Sequence, residues 1–512
     1  MAPNKTGNGI DVLMLCPKKQ NLIVAGLVVL GIVVRLVVFL YNRGFWQDEA
    51  SLALNLVDLS YSELLGRLEN AQVAPPLFLI ISKFMGQLFG LSEYSLRLLP
   101  LLSGCFSLLI VAKLIRRLVP DPIGMFAIAV YSLGFSHIDY ATNFKQYSTD
   151  ELSAAIILLI GLSWDRLSNR SLYVTAALLP FLLWLSYTSA FLLSGLVLIA
   201  CLSALRTKAA ARIHAFAIML ASTITSMVSV YLAAARNSIG HGIMTQYWLA
   251  AGGFPGGEFG WWPVRNVVEV LGSSIGVTRG PAFALSVDPY NLIAASFVTF
   301  ICILGAWRLS EGKTYRFGII SAALLLSALA ASLIRGYPLV GGRLTSYFAP
   351  IAFAALAAGL ESFHRIMERA RAGRTAHFLA AILLCTTIFQ LFASGGQLFV
   401  RQDVRDVARE IYKRGRPGIP ILVDPPAHNI FRLYGGPLLS RKIVWLKNSE
   451  DRVKSLDSGW IEAGRPAEFW VIITNPKKDE LNKFGVAISQ YATLKDLITE
   501  GDSGAVLLEI RP

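Results

Sequence analysis

Eleven hydrophobic runs separated by basic residues decide what this chain can fold into. They lie near residues 22–41, 98–115, 122–137, 151–164, 172–187, 188–205, 213–235, 289–307, 317–334, 344–361 and 377–396. A helix needs roughly 20 apolar residues to cross about 30 Å of hydrocarbon, and most of these runs approach that length. Of the 512 residues, 54% are hydrophobic and only 16% charged, whereas a soluble globular chain carries about a quarter charged residues. Mean hydropathy is +0.55. A soluble enzyme, a disordered protein, a coiled coil and a disulfide scaffold are excluded. The fold class that follows is a polytopic α-helical membrane protein of about eleven transmembrane helices with additional interfacial helices.

The net charge of +14 would suggest nucleic acid if it sat on one soluble face, but it does not. Residues 397–512 hold 18 Lys and Arg against 15 Asp and Glu, so most of the excess punctuates the hydrophobic part, residues 1–396. The run 76–91 is also apolar, but it begins at Pro75-Pro76 and contains Lys83. If it does not cross and the N-terminus is inside, the inner loops hold 17 basic residues and six acidic ones. If it crosses, every later loop changes side and the bias reverses. Basic residues collect on the cytoplasmic side, which favours eleven crossings with 76–91 interfacial or re-entrant.

Four cysteines (Cys105, Cys201, Cys302, Cys385) lie inside hydrophobic runs, and Cys16 lies in the basic N-terminal segment. This is neither a disulfide framework nor a Cys/His metal site. The first run is too long for a signal-peptide core and reads as a retained helix. No internal repeat, phosphate-binding Walker loop or dinucleotide fingerprint is present.

With this topology the outer face carries the loop 42–97, the loop 137–150, the Trp- and Gly-rich loop 236–288, and the turn RGYPLVGGR at 335–343. The segment 397–512 also falls outside. There, apolar runs at 421–424, 443–446, 469–474 and 505–509 alternate with helix-like stretches such as 403–414. This alternation predicts a small α/β domain. The organisation is thus a membrane module, 1–396, followed by a soluble domain, 397–512.

Three outer stretches carry groups suited to chemistry. Asp48 and Glu49 stand a few residues beyond the first run, beside Trp46. A carboxylate near a low-dielectric wall has raised proton affinity and suits general-base work. Adjacent residues point in different directions, so one faces the reaction while the other supports it. Asp139, Tyr140, Lys145 and Tyr147 fall within nine residues of the second stretch. Lys145 is a natural partner for a phosphate at headgroup depth, while Tyr and Lys also serve as interfacial anchors. In the third, Gly341-Gly342 allows close approach to a ligand and Arg343 offers a forked donor. Lys83 and Arg97 can bind lipid phosphate or anchor the interfacial segment. Arg35, inside the first run, is a functional candidate or snorkels to the interface.

These residues resemble those of the GT-C membrane glycosyltransferases, specifically the protein O-mannosyltransferase and aminoarabinose-transferase-like group (glycosyltransferase family 39). FWQDEA (45–50) looks like the family's first-loop acidic motif. APPLFLIISKFMGQLFGLSEYSLRLLPLLSG (74–104) is similar to its paired-proline run, DYATNFKQYSTDE (139–151) occupies its second outer loop, and GGRLTSYFAP (341–350) resembles its late Arg…Tyr…Pro segment. The resemblance implies an inverting transferase of the plasma (inner) membrane that uses a polyprenyl-phosphate sugar on the extracytoplasmic side, with a cytoplasmic N-terminus. It implies Asp48 as the catalytic carboxylate with Glu49 in support, and Lys145, Arg343 and Tyr347 on the lipid phosphate, joined by Tyr147 and Lys83. Asp139, Tyr140, Trp261 and Trp262 would meet acceptor or sugar; the two tryptophans fit interfacial anchoring equally well. The acceptor would be a glycan, a lipid or a protein. No cofactor beyond the donor is called for, although some GT-C relatives use a divalent cation and Asp48, Glu49 and Asp139 could supply ligands. Family members often place His or Lys before the paired prolines. This chain has Ala74 there, so that function is missing or is supplied by another residue such as Lys83. Three other readings remain: a lipid or polysaccharide transporter or flippase, a non-catalytic assembly component whose soluble tail binds partners, and an O-antigen-ligase-type transferase using a diphosphate donor.

Overall fold

The computed structural model describes residues 17–119, 122–234, 236, 242–256, 260–278, 289–370, 372, 374–414, 418–447, 452–474, 492–500 and 503–510. Cys16 and most of the N-terminal segment on which its inside placement rests lie outside these residues, as do Asp121 and parts of the 236–288 loop.

All eleven hydrophobic runs are helical. They form α1 (Pro17–Tyr41), and then, after α2 (Gln47–Asp58) and α3 (Pro76–Phe89), α4 (Glu93–Leu118), α5 (Gly124–Leu133), α6 (Phe135–Ala141), α7 (Tyr147–Ser163), α8 (Asn169–Leu178), α9 (Ser189–Thr207) and α10 (Ala210–Ala233). After α11 (Gly242–Ala250) and α12 (Trp262–Ile275) come α13 (Pro289–Leu309), α14 (Tyr315–Leu333), α15 (Ala349–Arg369) and α16 (Arg374–Phe399). Among the described residues, eight helical segments are long and apolar enough to cross a membrane. The other three runs give shorter helices, for local reasons. α5 stops where Gly134 turns extended, and the chain restarts as α6. α7 has 17 residues. α8 passes into a 3-10 segment around Pro180, whose missing N–H and ring oppose a continuing α-helix. The interfacial run 76–91 is the 14-residue α3, with Pro76 in its first turn, where proline is tolerated.

α15 is the central helix: 94% of its apolar window is buried, against 17% for the segment beginning at Thr375. Its sequence APIAFAALAAG is rich in small residues, which let helix backbones approach closely. The approach to α13 is reciprocal. A Cβ on Gly305 would strike the Ala355 carbonyl, and one on Gly359 would strike the Ile301 carbonyl. Outer helices present Leu22, Val29, Leu40, Ile303 and Phe392 outward, as lipid-facing surfaces do.

Beyond α16 the chain forms α17 (Val404–Arg414), β1 (Ile421–Val423), α18 (His428–Tyr434), β2 (Ile443–Trp445), α19 (Arg452–Glu462), β3 (Glu468–Thr474), β4 (Ala492–Glu500) and β5 (Ser503–Ile510). The sheet order is β2-β1-β3-β5-β4. β1 pairs in parallel with β2 and β3, while β5 pairs antiparallel with β3 and β4. The four apolar runs noted in the sequence all contribute strands. β4 has no such run; it is an edge strand carrying Lys495 and Asp496 beside a register shift, which are devices that blunt edges.

This small α/β unit packs on the segment that follows α1. Phe45 N donates to Tyr434 Oη at 2.8 Å, Gln47 N to Gln402 Oε1 at 2.9 Å, and Asn429 Nδ2 to Ser51 Oγ at 2.9 Å. Tyr434 Oη donates to Glu93 Oε1 at 2.7 Å, and Arg405 reaches the same oxygen at 2.8 Å. The start of α2 is therefore held between the membrane helices and the C-terminal unit.

Candidate active site

The first turn of α2 places Asp48 and Glu49 where the positive end of the helix dipole favours carboxylates. Glu49 turns inward and is fully buried. It accepts from Arg97 Nε at 2.9 Å and Arg97 Nη2 at 2.7 Å, and from Phe144 N at 2.5 Å. Arg97 also donates to the carbonyls of Arg43 and Gly44. Burial pushes the Glu49 carboxyl upward, but Arg97 outweighs it and holds Glu49 below the usual carboxylate range. Glu49 and Arg97 thus fasten α2, α4 and the 143–145 turn together. Neither reaches the cavity described below.

Asp48 turns the other way. Its Oδ2 accepts from Arg343 Nη1 at 2.6 Å, although 295 residues separate them in sequence. Burial raises the Asp48 carboxyl; Lys145, Arg343 and the Gln72 amide more than reverse this, so its proton affinity lies below normal. The raised affinity expected from the sequence is corrected: the low-dielectric wall is present, but two cations dominate it. Lys145 is 5% exposed and donates to Gln72 Oε1. Burial brings its ammonium down to about 8, against the upward pull of Asp48. The Arg343 guanidinium lies 5.4 Å from the Trp46 ring and 6.0 Å from that of Tyr147, within cation–π range. Tyr140 packs edge-on against Tyr147 at 5.4 Å.

A cavity of about 440 Å³ opens among these groups. Asp48, Gln72, Lys145, Tyr147 and Arg343 line its polar end. Leu183, Met227, Val230, Met244, Trp248 and Phe254 form an apolar wall. Asp150 and Thr188 add polar lining; Asp150 is 3% exposed, and its Oδ1 has no hydrogen-bond partner among the described residues. A charged end joined to an apolar wall suits an amphiphile with an anionic head.

The structure brings Asp48, Lys145, Tyr147 and Arg343 together and puts the other sequence candidates elsewhere. Lys83 donates to the carbonyls of Leu56 and Leu59 at 2.6 and 2.7 Å, capping the C-terminal end of α2 rather than facing the cavity. Tyr347 is wholly buried against Phe191, Tyr337 and Phe348. Asp139 pairs with Arg43 at 3.2 Å and Arg401 at 3.6 Å. Trp261 is 79% exposed, and Trp262 is buried with its indole N–H on the Gly252 carbonyl at 2.9 Å; Trp248 is the loop tryptophan that lines the cavity. Asp48, Glu49 and Asp139 each face a different arginine, so they do not form one ligand set. Arg35 does not snorkel: it is buried and donates to the carbonyls of Gly31 and Ser132, both at 2.9 Å.

Sequence reasoning missed Gln72, Asp150 and Trp46 as site residues. Trp46 and Asp150 stand inside the quoted motifs. Gln72 precedes the Ala74 departure by two positions, and no pattern marks it.

No protein-family model and no curated protein matches the chain. Solved structures to which the fold is similar include ArnT from Cupriavidus metallidurans in the apo state, with a TM-score of 0.48 and 13% identity, covering 94% of this chain and 98% of that one. The same ArnT bound to undecaprenyl phosphate gives a TM-score of 0.44 and 14% identity, again with 94% and 98% coverage. The apo oligosaccharyltransferase of Archaeoglobus fulgidus gives 0.43 and 12%, covering 89% of this chain and 69% of that one.

Proposed function

We propose that the protein is an integral-membrane glycosyltransferase that moves a sugar from a polyprenyl-phosphate donor to an acceptor hydroxyl outside the membrane, with inversion at the anomeric carbon. One observation carries this reading. An ionised carboxylate, Asp48, stands in direct contact with Arg343 and close to Lys145 at the polar end of a cavity whose other wall is apolar.

In the reaction the acceptor hydroxyl gives its proton to Asp48 as its oxygen attacks the anomeric carbon. The bond from that carbon to the phosphate oxygen breaks on the opposite face, and the electron pair leaves with the phosphate. Lys145 and the remaining donors of Arg343 hold the charge that develops there, and fixed donors of this kind lower the barrier without reorganising. Tyr147 braces Arg343, and the apolar wall takes the start of the prenyl chain. Cleavage of the sugar–phosphate bond drives the transfer, so no nucleotide is needed.

The test is an assay of the purified protein in proteoliposomes with a panel of polyprenyl-phosphate and polyprenyl-diphosphate sugars, analysing the released lipid. Polyprenyl phosphate together with a new glycoside is the expected product. Polyprenyl diphosphate, from a diphosphate donor, would reassign the protein to ligase-type transfer. Movement of intact donor across the bilayer without cleavage would make it a flippase.

A further inference from the structure

Lys145 makes an unexpected choice of partner. Asp48 and Glu49 both act on its charge from α2, Arg343 opposes it from the 343–348 segment, and Tyr147 is two residues away. Yet its ammonium bonds the neutral carboxamide of Gln72 rather than a carboxylate. An ammonium only donates, so the amide oxygen is the atom that faces it. The amide nitrogen donates to the Asn70 carbonyl at 3.2 Å and also acts on Asp48. Asn70 and Ala71 have φ of 57° and 53°, a region that alanine rarely adopts, so Gln72 directly follows a strained turn. Gln146 Nε2 meets the Val73 carbonyl at 3.4 Å, a second side-chain tie to the 143–147 stretch.

We propose that Gln72 is a positioning residue for the donor phosphate: its amide oxygen holds Lys145 on a bond that a phosphate oxygen takes over. This rests on the reading of the site given above. A carboxylate at position 72 would bind Lys145 too well to exchange. An apolar residue would leave a buried ammonium without an acceptor and favour its neutral form. A carboxamide satisfies the charge without neutralising it.

The experiment uses the full-length protein in nanodiscs and sugar-free polyprenyl phosphate as the probe, measuring affinity from pH 6 to pH 10, roughly the span across which a shifted lysine titrates. Wild type, Gln72→Ala and Gln72→Glu are compared, with thermal unfolding confirming that each is folded. Gln72→Glu is expected to weaken binding about tenfold or more, the effect of placing a competing anion on the binding cation. Gln72→Ala is expected to move the alkaline midpoint of binding to lower pH, a change that a merely structural turn residue would not cause. Matching kinetics would show a raised donor KM with kcat little altered in Gln72→Glu. Wild-type affinity and midpoint in both variants would overturn the role of Gln72 while leaving the phosphate site intact. If the wild-type protein binds no polyprenyl phosphate at any pH, the functional reading falls and takes this proposal with it.

Discussion

Glu49 accepts the backbone N–H of Phe144 at 2.5 Å, so one buried carboxylate joins the helix that presents Asp48 to the turn that presents Lys145. With Arg97 holding both its oxygens, Glu49 fixes the spacing of two groups it never shares a cavity with. Removing one member of a buried pair leaves an uncompensated charge, at a cost of about 3–5 kcal/mol. Glu49→Ala should therefore lower the unfolding temperature markedly, as should Arg97→Met, and the double variant should recover much of the loss. A double-mutant cycle read by thermal unfolding checks this. Additive losses would mean the two residues act separately.

Lys145 gives the reaction an alkaline limit. Its ammonium titrates at about 8, and only the protonated form attracts phosphate, so kcat/KM for the donor should fall as pH rises through about 8. This parameter reports the free enzyme. Lys145→Arg keeps its charge to beyond about pH 12 and should move the limb out of range. Because Asp48 is held below the ordinary carboxylate range, no acidic limb from it should appear near neutrality.

Tyr434 links the C-terminal unit to the approach to α2, accepting from Phe45 N and donating to the buried Glu93. Tyr434→Phe takes the acceptor from the Phe45 N–H and leaves Glu93 to Arg405 alone, at a cost of about 1–3 kcal/mol. The expected result is a lower kcat with donor KM within about twofold, a change of about 0.4 kcal/mol in binding, because neither Tyr434 nor Glu93 lines the cavity. Steady-state kinetics beside unfolding curves would show it.

Lys83 offers a control. It caps α2 from outside the cavity, and a cation at a helix C-terminus contributes typically 0.3–1 kcal/mol, with about 2 kcal/mol as an upper range. Lys83→Gln should lower stability by about that amount and leave donor affinity unchanged. A large rise in donor KM would instead assign Lys83 to the phosphate.

How much of this was legible in the sequence depended on which force fixed each feature. The hydrophobic runs announced the helices because hydrocarbon imposes length and composition together. Their ends were less readable, because Pro180 and Gly134 shorten helices that composition alone would extend. The charge pattern grouped Asp48, Lys145 and Arg343 on one face, and the structure puts all three on one cavity. Glu49 and Arg97 illustrate what sequence cannot give: a buried pair 48 residues apart leaves no local spacing to detect. Lys83 misled for the same reason, since a lysine beside an interfacial helix reads alike whether it meets a lipid or a carbonyl. The Asp48 proton affinity went the wrong way because local reasoning counted the wall and not the cations across the cavity. β4 lacked the apolar run that marked the other strands, being an exposed edge.

The account turns on Asp48 acting in the chemical step rather than in holding lipid. The most direct measurement pairs donor binding with single-turnover transfer in wild type and Asp48→Asn, using a polyprenyl-phosphate sugar that the wild type consumes. Removing a general base costs typically 10²–10⁴-fold, so Asp48→Asn should bind the donor about as tightly as wild type yet transfer its sugar at least about a hundredfold more slowly. Transfer at the wild-type rate, or a loss confined to donor affinity, would contradict it.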